Sequence, residues 1–197
     1  MIEKCTTKSW ETSLYEPQKL YYNLMGEKIL TDKNVKSAYY MAKHKKSCDS
    51  PAWDGMTRTI LVDGMEPEHA WSLIRYHVLH GPSGCVKRFD IPKSNGKTRP
   101  ISIYPLLDRV AQWCIMEPLR KACGPLLSPI NHAFQAGKSC KTAFDAFPPA
   151  GEAGYVICGD IHSFFDSVSH SLVRACLWSA GIRDSQLLHT INVTLKT

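Results

Sequence analysis

The chain has 197 residues, with 24 Lys and Arg against 18 Asp and Glu, and 44% of its residues are apolar. That suffices for one ordinary globular domain, and the apolar share with five Trp excludes an intrinsically disordered chain. No apolar run approaches the ~18 residues of a membrane span. The first residues, with Glu3, Lys4, Lys8 and Glu11, show no signal-peptide pattern.

Eight Cys form no C-x-x-C pair and no metal-like cluster, so free thiols in a reducing, cytoplasmic setting are expected. The net charge of +6 is unevenly spread. Between Gly81 and Lys121 stand Lys87, Arg88, Lys93, Lys97, Arg99, Arg109, Arg120 and Lys121, against Asp90, Asp108 and Glu117. Such a block suits a phosphate backbone or a nucleotide. Charge alone favours the blander reading of a solvated face, so position must decide.

In chain order, Thr31-Asp32 can cap a helix through Val35, Ala38, Tyr39 and Ala42 to the basic end His44-Lys45-Lys46, where cations suit the helix dipole. Residues 51–57 break the pattern as a loop. A second helix starts at Glu66-Pro67-Glu68, carries Ala70, Ile74, Tyr76 and Val78, and stops at Gly81-Pro82. Residues 85–104 read as a hairpin around Asn95-Gly96.

Side-chain parity sets its register. A two-residue turn would put Ile91 and Ile101 on opposite faces. A three-residue turn with Gly96 in the left-handed region pairs Ile91 with Arg99. Phe89, Ile91, Ile101 and Ile103 then share one face at the root, with Lys93, Lys97 and Arg99 on that face at the tip. The bulged turn is preferred, giving an apolar foot and a cationic tip.

A long helix follows, apolar at Leu107, Val110, Ala111, Cys114, Ile115 and Leu119, with Pro118 expected to kink or end it. Residues 131–137 form a loop, and Ser139 caps a short helix over 140–147. Tyr155-Val156-Ile157-Cys158 is wholly apolar, as a buried strand would be. Helices over about 169–180 and 184–196 close the chain.

Gly159-Asp160-Ile161-His162-Ser163-Phe164-Phe165-Asp166 is the sharpest chemical feature. A carboxylate at a strand end lies where open sheets place their ligands, and it is a hard-oxygen ligand suited to Mg²⁺. The bland reading is that Asp160 caps a turn beside two core aromatics.

Several segments together decide between these readings. They are Asp54-Gly55-Met56-Thr57, Ile91-Pro92-Lys93-Ser94-Asn95-Gly96-Lys97-Thr98-Arg99-Pro100 with Asp108-Arg109, Met116-Glu117-Pro118-Leu119, Phe134-Gln135-Ala136-Gly137-Lys138-Ser139, and Asp160 to Asp166 with His170. In this order and spacing the chain resembles the reverse transcriptases encoded by group II introns, roughly from Asn34 to Leu195.

The resemblance implies an α+β fold of reverse-transcriptase fingers and palm: a helical extension over 1–50, fingers over 51–150, and the start of a palm over 151–197. It implies RNA-directed DNA synthesis with two Mg²⁺ ions and a dNTP on an RNA template and primer strand, with cognate intron RNA as partner and no membrane. Asp160 would be the catalytic metal ligand, joined by the Ile161 carbonyl. Lys93 and Arg99 would neutralise the triphosphate, Arg as a planar fork and Lys as a point charge. Lys97 is left between nucleotide and template phosphate.

Phe165 would lie under the incoming sugar and leave a 2′-hydroxyl without a partner. Phe164 is expected in the core, Asp166 at a turn or helix cap, and Asp108 and Arg109 in a structural cap or ion pair. No histidine is assigned a metal.

Two departures stand out. Gln135-Ala136 replaces the family's Arg-Pro, leaving Gln135 to offer neutral hydrogen bonds to nucleotide or template. No Asp-Asp pair occurs in the 197 residues, so the second set of metal ligands is missing and the chain alone is expected to be inactive. The alternative is an intron-RNA-binding maturase module using Lys43 to Lys46, or a degenerate, retron, diversity-generating or defence reverse transcriptase.

Overall fold

The computed structural model describes residues 19–92, 94, 96–147, 155, 157–161 and 164–196, without the side chains of Phe165 and Asp166. The chain divides into two compact units. One comprises Leu20–Arg120 with Gly181–Thr197; the described part of the other is Lys19 and residues within Lys121–Ala180. Helices dominate and the sheet has two antiparallel strands, a mixed α+β composition.

The first unit builds a core. Helix α1 (Asp32–His44) is capped by Thr31, whose side chain accepts from the Asn34 N–H, and it buries Val35, Ala38, Tyr39 and Ala42. These are the apolar positions spaced three and four apart, so one face goes inward. A short helix α2 (Arg58–Val62), capped by Thr57, directly follows the expected loop, where the sequence reading places no element. Helix α3 (Pro67–His80) opens on Pro67, where the missing N–H costs nothing, and ends at Gly81 with φ 82. It buries Ala70, Ile74 and Val78, but Tyr76 is exposed. Tyr76 stands two residues from both Ile74 and Val78, about 200° round the helix, so it cannot share their face.

Helix α4 (Leu106–Cys123) contains Pro118 and continues past it, so of the expected kink or end the end does not occur. Pro118 has no N–H to give the carbonyl of Cys114, four residues earlier. The Asn34 side-chain amide donates to that carbonyl at 2.9 Å, and to the Ile29 carbonyl at 2.8 Å. A donor from α1 thus satisfies the group that proline orphans, and the helix can run on. Leu106, Leu107, Val110, Ala111, Cys114 and Ile115 are buried. Helix α8 (Ser185–Leu195) is capped by Asp184, which accepts from the Leu187 N–H at 3.0 Å and from the Met25 N–H at 2.7 Å. Tyr21 pairs in parallel with Ile182, so the two segments of this unit start side by side.

Strands β1 (Lys87–Pro92) and β2 (Thr98–Ile103) pair with Phe89 opposite Ile101 and Ile91 opposite Arg99. That is the bulged-turn register, and Gly96 has φ 76, the left-handed conformation it requires. Lys93 and Asn95 lie outside the described residues. Pro92 and Pro100 are tolerated because both strands are edges.

The second unit is different. Among its described residues Ala122 alone is buried. Helix α5 (Cys140–Asp145) is fixed by a reciprocal capping box between Ser139 and Thr142. Helices α6 (Phe164–Ser167) and α7 (His170–Ser179) follow.

The expected buried strand at 155–158 is corrected. Tyr155, Ile157 and Cys158 belong to no strand and are exposed, Tyr155 and Ile157 by 95% each. Val156 lies outside the described residues. An apolar run becomes a strand only where a neighbour accepts its hydrogen bonds, and no described residue pairs with it. Phe164, expected in the core, is half exposed for want of a core to enter.

Candidate nucleotide and nucleic-acid site

The sequence-derived site residues fall in both units. Arg99 is exposed on β2 and shares a face with Ile91, Phe89 and Ile101. Asp160 and Ile161 lie on an exposed segment that is neither helix nor strand. Lys93 and the side chain of Phe165 lie outside the described residues, as do His162 and the side chain of Asp166.

Gln135 is half-buried, and its amide donates to the Asn131 carbonyl at 2.8 Å. Lys138 donates to that same carbonyl at 2.8 Å and also to the Pro129 carbonyl. The cation of this segment is therefore engaged by its own loop. The Asn131 side-chain oxygen accepts from the Ala133 N–H at 2.9 Å, and His132 Nδ1 meets Thr142 Oγ1 at 2.9 Å. Four side chains tie the loop to itself and to α5. At its tip Phe134 has φ 57, the one non-glycine residue at positive φ among those described, and it is 88% exposed. Left-handed backbone costs a bulky residue about 1–2 kcal/mol. The composition of this stretch gave no sign of that strain.

Among the described residues no group of three or more His, Cys, Asp or Glu side chains could hold a metal ion. Asp160 is one exposed carboxylate, and two Mg²⁺ ions in a nucleotidyl-transfer site need several. The described residues therefore do not fit a two-metal centre, and no metal-dependent step follows from them.

Asp108 and Arg109 are structural, as expected from the sequence. The buried Asp108 carboxylate accepts from Ser83 N–H at 3.1 Å, from Ser83 Oγ at 2.9 Å and from His77 Nδ1 at 2.6 Å. Burial pushes its carboxyl pKa up, but these hydrogen bonds and the nearby imidazole outweigh burial and hold it below the usual range. Ser83 donates to the carboxylate rather than to His77, so the trio lacks the serine-to-histidine bond of an activated nucleophile. Arg109 donates to the Ser47 carbonyl at 2.9 Å and the Ser50 carbonyl at 3.2 Å. The cleft beside His77, Asp108, Gln112 and Thr190 encloses about 10 Å³, room for one water, far below the roughly 300–1,000 Å³ of small-molecule sites.

The basic end of α1 is partly engaged. Lys45 lies 4.4 Å from the centre of the Trp113 ring, while Lys43, His44 and Lys46 are exposed. The described cysteines are all free thiols, as expected. Burial raises the Cys48 pKa and lifts Cys114 to about 12, which makes both unreactive near neutral pH. No helix among the described residues is long and apolar enough to cross a membrane.

Comparison with known proteins agrees with the motifs. The family described as reverse transcriptase (RNA-dependent DNA polymerase) matches residues 91–195, just over half of the chain. Protein YkfC of Escherichia coli K12 is 31% identical over 163 residues, covering 77% of this chain and 41% of that protein. The group II intron-encoded protein LtrA of Lactococcus lactis subsp. cremoris is 31% identical over 113 residues, covering 56% of this chain and 19% of its own. An uncharacterised 91 kDa protein in a cob intron of Schizosaccharomyces pombe is 31% identical over 110 residues, covering 55% of this chain and 14% of its own. The chain thus spans well under half the length of these relatives. Motifs, family match and relatives agree, and the chain belongs to the reverse transcriptase (RNA-dependent DNA polymerase) family.

Proposed function

We propose that this chain carries the fingers and the first palm aspartate of an RNA-directed DNA polymerase of group II intron type. Residues 1–50 form its helical extension, 51–150 its fingers and 151–197 the start of its palm. The observation that carries the reading is the hairpin register: Ile91 opposite Arg99 with Gly96 at φ 76. It puts Arg99 on the apolar face of an exposed ribbon, where a guanidinium fork can meet two phosphate oxygens at once.

In this reading Lys93 and Arg99 neutralise the dNTP triphosphate, and Gln135 offers a neutral hydrogen bond to nucleotide or template. Phe165 leaves a 2′-hydroxyl unpaired. Asp160 and the Ile161 carbonyl would contribute two oxygen ligands to a Mg²⁺ site that the described residues do not complete. The partners are an RNA template, a primer strand and cognate intron RNA.

A second reading is an RNA-binding splicing module, favoured by the exposed Lys43, His44 and Lys46 at the end of α1. Primer extension by the full-length protein on an RNA template tests the first reading. Arg99→Ala should raise KM for dNTP about tenfold or more, with RNA affinity within twofold of wild type. Replacing Lys43, Lys45 and Lys46 should weaken RNA binding and spare the dNTP KM. Full-length protein that binds RNA but never extends a primer would leave the second reading in place.

A further inference from the structure

We propose that Phe134 is a base-stacking residue, a fixed aromatic platform for an unpaired base of the template strand. The proposal rests on the polymerase reading above and adds a residue to which that reading assigns no role. Exposure alone says little, since scattered apolar side chains are ordinary on protein surfaces. Three further observations give Phe134 a different standing.

The first is its backbone. Phe134 holds φ 57, a conformation that glycine adopts without strain, as Gly137 does three residues later at φ 74. A bulky ring at that position is strained, and strain of this kind persists where surrounding contacts over-determine it, most often at ligand sites.

The second is the mount. Asn131 accepts at its side chain from Ala133 and at its carbonyl from both Gln135 and Lys138, while Lys138 also reaches Pro129. His132 ties the loop to Thr142, and Ser139 with Thr142 pins its far end to α5. The ring therefore stands on a rigid base and loses little freedom on binding.

The third is chemistry. Phe134 has no polar atom to orient a ligand, and the ring contacts among the described residues involve other aromatics. The neighbouring cations are engaged elsewhere, Lys138 by the loop carbonyls and Lys141 by Asp145 at 2.7 Å, so the ring itself is the recognition element. An exposed aromatic face of this kind suits a nucleobase, because every base offers a π-face. The family match makes nucleic acid the molecule this protein meets.

The test uses the 197-residue chain with a short single-stranded RNA and the same RNA made abasic, with affinity read by fluorescence anisotropy. Wild type should bind the intact RNA about five- to tenfold more tightly than the abasic one. Phe134→Ala should erase that difference, and Phe134→Tyr should keep it. Phe134→Gly should also erase it while raising Tm, because it relieves the left-handed strain as it removes the ring.

Equal binding of intact and abasic RNA by a wild-type chain that binds both would overturn stacking and leave the polymerase reading intact. Loss of solubility or folding in Phe134→Ala with an unchanged intact-to-abasic ratio would show a ring that docks against protein, and would also overturn it. A wild-type chain that binds neither RNA would contradict both readings of this region.

Discussion

Pro118 shows how one side chain far away in sequence can keep a helix whole. Its missing N–H leaves the Cys114 carbonyl without the usual partner, and Asn34 supplies the hydrogen bond from α1. Asn34→Ala should therefore destabilise the fold by roughly 1–2 kcal/mol, because buried carbonyls lose their donor. In a Pro118→Ala background an amide N–H is restored at position 118, and the cost should shrink by about 1 kcal/mol. A double-mutant cycle in urea measures that coupling, and strict additivity would refute the account.

Asp108 gives a second residue-scale expectation, in acid. Its carboxyl pKa is held below the ordinary value. The stability it contributes is fully present above the unfolded-state value, about 3.9, and is lost as pH falls through the lower folded value. Asp108→Asn should lower stability at pH 7 by about 2 kcal/mol and flatten the fall below pH 4. An unchanged acid limb in chemical denaturation would place that titration elsewhere.

Elements were legible where their signals are local. Thr31, Pro67, Gly81 and Ser139 mark helix ends that the structure keeps. The parity of Phe89, Ile91, Ile101 and Ile103 was enough to choose the bulged hairpin over the two-residue turn. What escaped depends on partners distant in sequence. The continuation of α4 past Pro118 needs Asn34, and the Asp184 cap also holds Met25, 159 residues away. Of the site residues, Arg99 could be placed on a face by parity. The exposure of Asp160 could not be read, because burial at 155–158 depends on neighbouring strands rather than on the run itself.

The hairpin carries an element-scale prediction. It is exposed along β1 and adds little to the core, so Gly96→Val should leave Tm within about 2 °C. By straining a backbone at φ 76 it should disturb the tip and raise the dNTP KM several-fold in the full-length protein. A large fall in Tm with normal KM would mean that the hairpin supports the core instead.

For the whole molecule, burial is divided unequally between the two units. Among the described residues, Leu20–Arg120 with Gly181–Thr197 contains nearly all the buried apolar side chains, while Tyr155, Ile157, Phe134 and Phe144 of the other unit are open to solvent. Amide exchange should be slow in α1, α3, α4 and α8 and fast over residues 157–161. Apolar surface of that extent should also make the 197-residue chain associate with itself as concentration rises. A monodisperse monomer at high concentration in sedimentation would contradict this.

Asp160 is the residue on which the functional account turns. Its most direct test is RNA-templated primer extension by the full-length protein carrying Asp160→Ala, with RNA affinity measured on the same preparation. The account predicts loss of synthesis by at least a thousandfold, with RNA affinity within twofold of wild type. Synthesis at the wild-type rate would contradict the assignment of Asp160 to the catalytic centre.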